Sequence, residues 1–209
     1  MADEEMELYS DTLKELCTMG SGSAASSLSK MLDRKVFVKV PRAYIATSEE
    51  EIRPLFQGEG AMIIFEVTFL FDEKSEKNEK SENGKIFLFI SEESARTITS
   101  FMLNKSFDFG EIGEIEESLI TETANIVASS MITPLGNFLE RKIDISPPNL
   151  TVDVASAAVG SILAQQLAKT GHYFFVQTEV IASDISFSME LLLFPYFDLV
   201  KEVWKKMNI

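Results

Sequence analysis

The side chains able to do chemistry in this sequence are almost all carboxylates, hydroxyls and amides. There is one histidine, His172, and one cysteine, Cys17. A single cysteine forms no internal disulfide, and the two residues together cannot build a Cys/His zinc site. A Ser-His-Asp mechanism would have to run through His172, which stands in Thr-Gly-His-Tyr and reads as a solvated turn residue. Cys17 falls on an apolar stripe and reads as a small buried hydrophobe. Gly20-Ser21-Gly22 lies inside a helical pattern and is weak evidence for a phosphate loop. The informative spacing is Ser118, Glu122, Asn125 and Ser129, with steps of 4, 3 and 4. Residues three and four apart are helical neighbours, so an acid and an amide project side by side from one face. Asn is a mediocre helix former, because its side chain competes for backbone hydrogen bonds. Asp11, Glu15, Thr18 and Gly22 repeat the same steps earlier in the chain.

Two long helices are needed to carry these faces, and the chain supplies them by repeating itself. Leu32-Asp33-Arg34-Lys35-Val36 matches Leu139-Glu140-Arg141-Lys142-Ile143 at an offset of 107 residues. At that offset Leu13, Cys17, Gly20, Ala24, Leu28 and Met31 fall on Ile120, Ala124, Val127, Met131, Leu135 and Phe138. Each set marks the apolar stripe of an α-helix. The spacing predicts helices over residues 6–33 and 114–141. In the first half, strands are predicted near 36–40, 61–71 and 85–90, with a closing helix over 91–103. In the second half, a short strand near 143–146 and an apolar segment over 150–168 precede strands near 173–181 and 186–194 and a helix over 196–207. Residues 72–84 are a charged run read as a hairpin loop, and 107–113 join the halves. Pro134 predicts a kink or break near 130–134, because Pro removes a helix hydrogen bond and clashes with the preceding turn. Trp204 is expected to pack inward.

The class is expected to be α+β: residues 1–209 as one body of two pseudo-twofold-related repeats, about 6–106 and 114–209, in which a mixed β-sheet packs with the two long helices. Neither half has enough strands to cover both faces of a sheet alone. The composition, 45% hydrophobic and 25% charged, is that of a globular protein with a real core. A formal charge of -14 removes any global attraction to nucleic acid or anionic lipid. Residues 154–168 are too short and too polar for a membrane span, and the acidic start does not resemble a signal peptide. A cytoplasmic monomer is the expectation.

The frame extends beyond the helices: Ser118, three residues, Glu122, two residues, Asn125, twenty-two residues, Pro148. Asp11, Glu15, Thr18 and Pro41 fall in the same frame. The frame resembles the motif of the CheC family of chemotaxis phosphatases, which includes CheX and the phosphatase part of FliY. CheC proteins carry it twice, in halves related by pseudo-twofold symmetry. The likeness extends to Gly20-x-Gly22-x-Ala-Ala and to Asn149-Leu-Thr-Val-Asp153. The sequence departs from the motif at Thr18, where the first copy expects Asn.

The resemblance implies hydrolysis of the aspartyl phosphate of a CheY-type response regulator, a substrate that brings its own Mg²⁺ and Lys. No cofactor of the chain's own is implied. Positioning one water in line with phosphorus is the main task. Asn125 would orient that water, since an amide donates, accepts and stays neutral. Glu122 would pair with the regulator's Lys and fix its docking, with Ser118 and Pro148 in support. Glu15 would dock at a first site whose hydrolysis Thr18 impairs, Asp11 and Pro41 being its counterparts of Ser118 and Pro148. The resemblance also places binding of a CheD-type receptor deamidase near Asp153 and the small-residue run after it. The alternative is a non-catalytic adaptor that binds such a deamidase or sequesters phosphorylated regulator. A flagellar switch component is the less favoured expectation.

Overall fold

Two helices with apolar stripes require a broad apolar surface to bury them, and here an antiparallel sheet supplies it. The computed structural model describes residues 3–52, 56, 60–71, 83–103, 113–182, 185–194 and 197–207. In the first half α1 (Asp3–Leu32) leads into β1 (Val36–Ala46), a 3-10 turn (Glu49–Glu51), β2 (Ala61–Phe71), β3 (Asn83–Ser91) and α2 (Glu92–Leu103). In the second half α3 (Glu114–Leu139) leads into β4 (Ile143–Ile145), β5 (Asn149–Val154), α4 (Ala155–Thr170), β6 (Tyr173–Ala182), β7 (Ile185–Phe194) and α5 (Phe197–Met207). The class is α+β, as the sequence leads one to expect.

The described strands form one sheet in the order β1-β6-β7-β3-β2-β4, with β5 also pairing to β2. Every described pairing is antiparallel, rather than the mixture expected from sequence. The reason lies in an exchange. The first strand of each half pairs with the other half's hairpin: β1 lies on β6, and β4 and β5 lie on β2. The two hairpins meet at β3 and β7. No parallel crossover is needed, because each half contributes its first strand across the molecule.

Alternation along the strands divides the core in two. Ile63, Phe65, Val67, Phe69 and Phe71 of β2 pack in one cluster with Leu16, Cys17 and Leu28 of α1 and Ile120, Val127 and Met131 of α3. Ile64, on the opposite face, joins Phe87, Phe89, Phe175 and the α4 residues Ala158, Val159 and Leu163, together with Ile52 and Phe56. The segment over 150–168, read as apolar but without a type, is thus an edge strand followed by the helix that covers the second face.

The two long helices end alike. Asp33 and Glu140, 107 residues apart, adopt left-handed φ of 50° and 55°, a conformation that stops a helix. The following arginines each cover a ring: Arg34 lies 4.6 Å from the centroid of Phe101, and Arg141 lies 4.9 Å from that of Phe71. Arg141 also pairs with Glu202 at 2.8 Å, and Glu140 with Lys206 at 2.8 Å, which ties α5 to the end of α3.

Three further expectations change. The helix α3 continues through Pro134, so no break occurs at 130–134. His172 is not a solvated turn residue but is buried, 6% exposed, between the left-handed Gly171 that ends α4 and the first residue of β6. The side chain of Trp204, and residues 72–82 and 104–112, lie outside the described residues.

Candidate functional site

Burial of the apolar stripes fixes what α1 and α3 show to solvent. On α3, Ile120, Ala124, Val127, Met131 and Leu135 are buried. That leaves Ser118 and Glu122 exposed and Asn125 half-buried. On α1, Cys17, Gly20, Ala24 and Leu28 are buried, and Asp11, Glu15, Thr18 and Gly22 are exposed. The two faces predicted from spacing therefore both exist on the surface.

Their polar atoms differ. The Thr18 hydroxyl donates to the Lys14 carbonyl of its own helix at 2.9 Å. Its hydrogen is committed to the backbone. Among the described residues no group hydrogen-bonds the Asn125 amide, while the Asn125 carbonyl accepts from the Ser129 hydroxyl at 2.6 Å. Ser129, the fourth residue of the face, thus turns back onto the helix as Thr18 does. Of Thr18, Asn125 and Ser129, Asn125 is the one whose side chain keeps both donor and acceptor available to a ligand.

The two prolines of the frame have a shared place that spacing did not reveal. Pro41 is exposed and sits where the β1–β6 register shifts between Lys39 and Arg42. Pro148 is half-buried and sits in the gap between β4 and β5. Both interrupt an edge strand, where a missing N–H is tolerated. At the second interruption Ser146 mends the ladder: its hydroxyl accepts the Thr68 N–H at 2.9 Å and its own N–H donates to the Thr68 carbonyl at 2.8 Å. No described hydrogen bond joins either proline region to Glu15, Thr18, Glu122 or Asn125.

Asp153 is placed elsewhere. It lies on the edge strand β5, opposite Met62, on the sheet face covered by α4. Its Oδ1 accepts the Val154 N–H at 2.7 Å at the entrance to α4. It is exposed and separated from the α1 and α3 faces by the sheet.

Two residues beside the polar faces escaped the sequence reading. Ile115, three residues before Ser118, is 61% exposed, and Met19, four after Glu15, is 60% exposed. Large apolar residues off the buried stripe were the available signal. Cys17 is confirmed as a buried hydrophobe, with burial pushing its thiol up to about 12, so it is neutral at working pH. No cluster of His, Cys, Asp or Glu among the described residues is arranged to hold a metal ion. Among them also, no helix is long and apolar enough to cross a membrane.

A CheC-like family profile matches residues 115–152, a span that holds Ser118, Glu122, Asn125 and Pro148. The CheY-P phosphatase CheC of Bacillus subtilis (strain 168) is 26% identical over 202 residues, which is 93% of this chain and 91% of that protein. Over most of its length the chain is thus similar to a CheC protein. The flagellar motor switch phosphatase FliY of the same organism is 26% identical over 151 residues, covering 71% of this chain and 36% of the relative. The crystal structure of Thermotoga maritima FliY superposes with a TM-score of 0.68 at 20% identity, over 100% of this chain and 98% of that one. That likeness establishes a shared α+β fold. The CheC-like match falls on the second motif helix, not the first.

Proposed function

We propose that this CheC-like chain hydrolyses the aspartyl phosphate of a CheY-type response regulator, mainly at the α3 face. The observation that carries the reading is the Asn125 amide, uncommitted among the described residues, one turn beyond an exposed Glu122. The names of the CheC and FliY relatives support a phosphatase of phosphorylated CheY. In this reading Asn125 enters the regulator's active site and holds the attacking water in line with phosphorus. A carboxylate in that place would repel the phosphoryl group; an amide does not. Glu122 pairs with the regulator's Lys, and Ile115 supplies an apolar contact beside it. Ser118 lies one turn before Glu122, on the same side, and Pro148 shapes the chain beyond the helix. Mg²⁺ belongs to the regulator.

The α1 face docks without hydrolysing. Glu15 is exposed and Met19 flanks it, but Thr18 offers a short hydroxyl already bonded to Lys14. The test is the decay of a phosphorylated regulator at substoichiometric protein. Asn125→Ala is expected to lose about 100-fold in rate, the scale of lost positioning. Thr18→Ala is expected to change the rate less than twofold. Full activity in Asn125→Ala with loss in Thr18→Ala would overturn the assignment.

The adaptor reading keeps one observation of its own. Asp153 lies on the far side of the sheet, so a CheD-type deamidase could bind there without covering the α3 face. A pulldown with the deamidase, with and without Asp153→Lys, tests this. Acceleration of decay only at stoichiometric protein would favour the adaptor over the phosphatase.

A further inference from the structure

The face of the sheet under α4 holds a cavity of about 180 Å³ that the phosphatase reading leaves unused. Ile64 of β2 and Phe87 of β3 form its floor, and α4 closes one side with Ala158, Ser161 and Ile162. The three α4 residues share one helix face by their spacing. Polar groups stand around this apolar floor: Glu66, Asn149, Thr151, Asp153 and Ser161. An apolar pocket with a few convergent polar groups is the usual form of a small-molecule site.

The charges in the wall differ. Glu66 is ion-paired with Lys85, which reaches it from the diagonal position on β3. Asp153 has no described ion-pair partner, and its Oδ1 accepts only the neighbouring Val154 N–H. One carboxylate therefore remains uncompensated beside an apolar floor, in a chain of charge -14. A hard metal cation would need six or more oxygen ligands, or an octahedral set of them. One free carboxylate, the Asn149 amide and two hydroxyls above Ile64 and Phe87 do not provide that. An organic cation uses both features: its charged group meets Asp153 and its carbon chain covers the floor. The volume lies below the roughly 300–1,000 Å³ of drug-sized sites, so the occupant is small.

We propose that this cavity binds a small alkylguanidinium or alkylammonium ligand, with Asp153 as its counter-ion and Thr151 and Ser161 as hydrogen-bonding partners. The proposal does not depend on the phosphatase reading, since the cavity lies across the sheet from α1 and α3. The same chemistry could come from a free metabolite or from a partner's arginine; the small volume of the pocket, walled on one side by α4, favours the free ligand.

The test is a two-dimensional amide NMR titration of the full chain with butylguanidinium, n-butanol and butyrate, and with N-acetylarginine methylamide as the peptide-like probe. Butylguanidinium is expected to shift the amides of residues 149–153 and 158–162 saturably, with no matching shift near Glu15 or Glu122. Asp153→Asn is expected to weaken that binding at least tenfold. Ser161→Leu, which fills the mouth and leaves the carboxylate in place, is expected to remove it while the other amide signals stay put. Equal shifts from butyrate or butanol, diffuse shifts over every acidic surface, or an unchanged affinity in Asp153→Asn would overturn the proposal. Binding of the blocked arginine at least tenfold tighter than butylguanidinium would assign the site to a protein partner and overturn the free-ligand proposal.

Discussion

The helices α1 and α3 are two answers to the same packing problem. Both bury an apolar stripe against the same core cluster, end at a left-handed acid, and place an arginine over a ring. Both expose an acid at the same place in the frame, Glu15 and Glu122. They part at the third position of the frame. A threonine in a helix has a γ-oxygen within reach of its own preceding turn, and Thr18 takes that bond. Asparagine carries its polar atoms one bond further out, and Asn125 has no such bond. The packing of a repeat can thus be kept while one side-chain length changes what its surface can do.

The largest test of that difference is Asn125→Ala against Thr18→Ala, with about 100-fold and less than twofold losses expected in regulator dephosphorylation. Next is the acid. Glu122→Lys places like charges at the docking contact, and truncating or reversing one partner of an interface charge pair costs about 2–5 kcal/mol. A loss of about 30-fold or more in kcat/KM is expected, chiefly through KM. Glu15→Lys is expected to lower the rate less than threefold. Equal losses in the two variants, measured on the same phosphorylated regulator, would mean that both faces turn over.

Much of this arrangement is legible in the sequence, because it depends on local periodicity. The 3–4 spacing of Cys17, Gly20, Ala24 and Leu28 fixes which side of α1 is buried, and so which side carries Glu15. What is not legible depends on contacts distant in sequence. Pro134 reads as a helix breaker because its ring denies a hydrogen bond to the Ser130 carbonyl. Yet that carbonyl faces the other helix: a Cβ at Gly20 would stand 2.5 Å from it. Close approach of α1 at a glycine packs the region where α3 loses a bond, and the helix stays continuous. The exchange of β1 and β5 between halves is equally hidden, since strand periodicity gives a face but no partner. His172 is buried because Gly171 ends α4 directly against the sheet, a consequence of a helix whose small residues left its type unresolved.

The two glycines of α1 extend the comparison to stability. Gly20→Ala would drive a Cβ to 2.5 Å from the Ser130 oxygen and 3.0 Å from the Met131 Cα, both backbone atoms. Forcing helices apart in a packed core costs about 1–3 kcal/mol. A Cβ at Gly22 meets nothing within 4 Å. Replacing that exposed helical glycine with Ala is expected to gain about 0.5–1 kcal/mol. Thermal or denaturant unfolding of the two variants should therefore move in opposite directions. A shared direction would mean that α1 and α3 do not cross at Gly20.

The smallest effect is also the most discriminating. Thr18→Asn gives α1 the amide that α3 has, at almost no helical cost, because the two residues have similar propensities. If residue type at this position is all that separates the faces, the rate should rise, at most about twofold, as a second site opens. In the wild-type background that increment is small against the activity of α3. In an Asn125→Ala background it stands alone, and recovery there to half or more of the wild-type rate is the expected outcome. Should Thr18→Asn/Asn125→Ala remain as slow as Asn125→Ala while still competing for the regulator, the difference must lie in the neighbours that the frame also changes. Those are Asp11 for Ser118 and Gly22 for Ser129. Asp11 adds a carboxylate two turns from the entry point of a phosphoryl group, so Asp11→Ser in that double variant is the substitution expected to release the remaining activity.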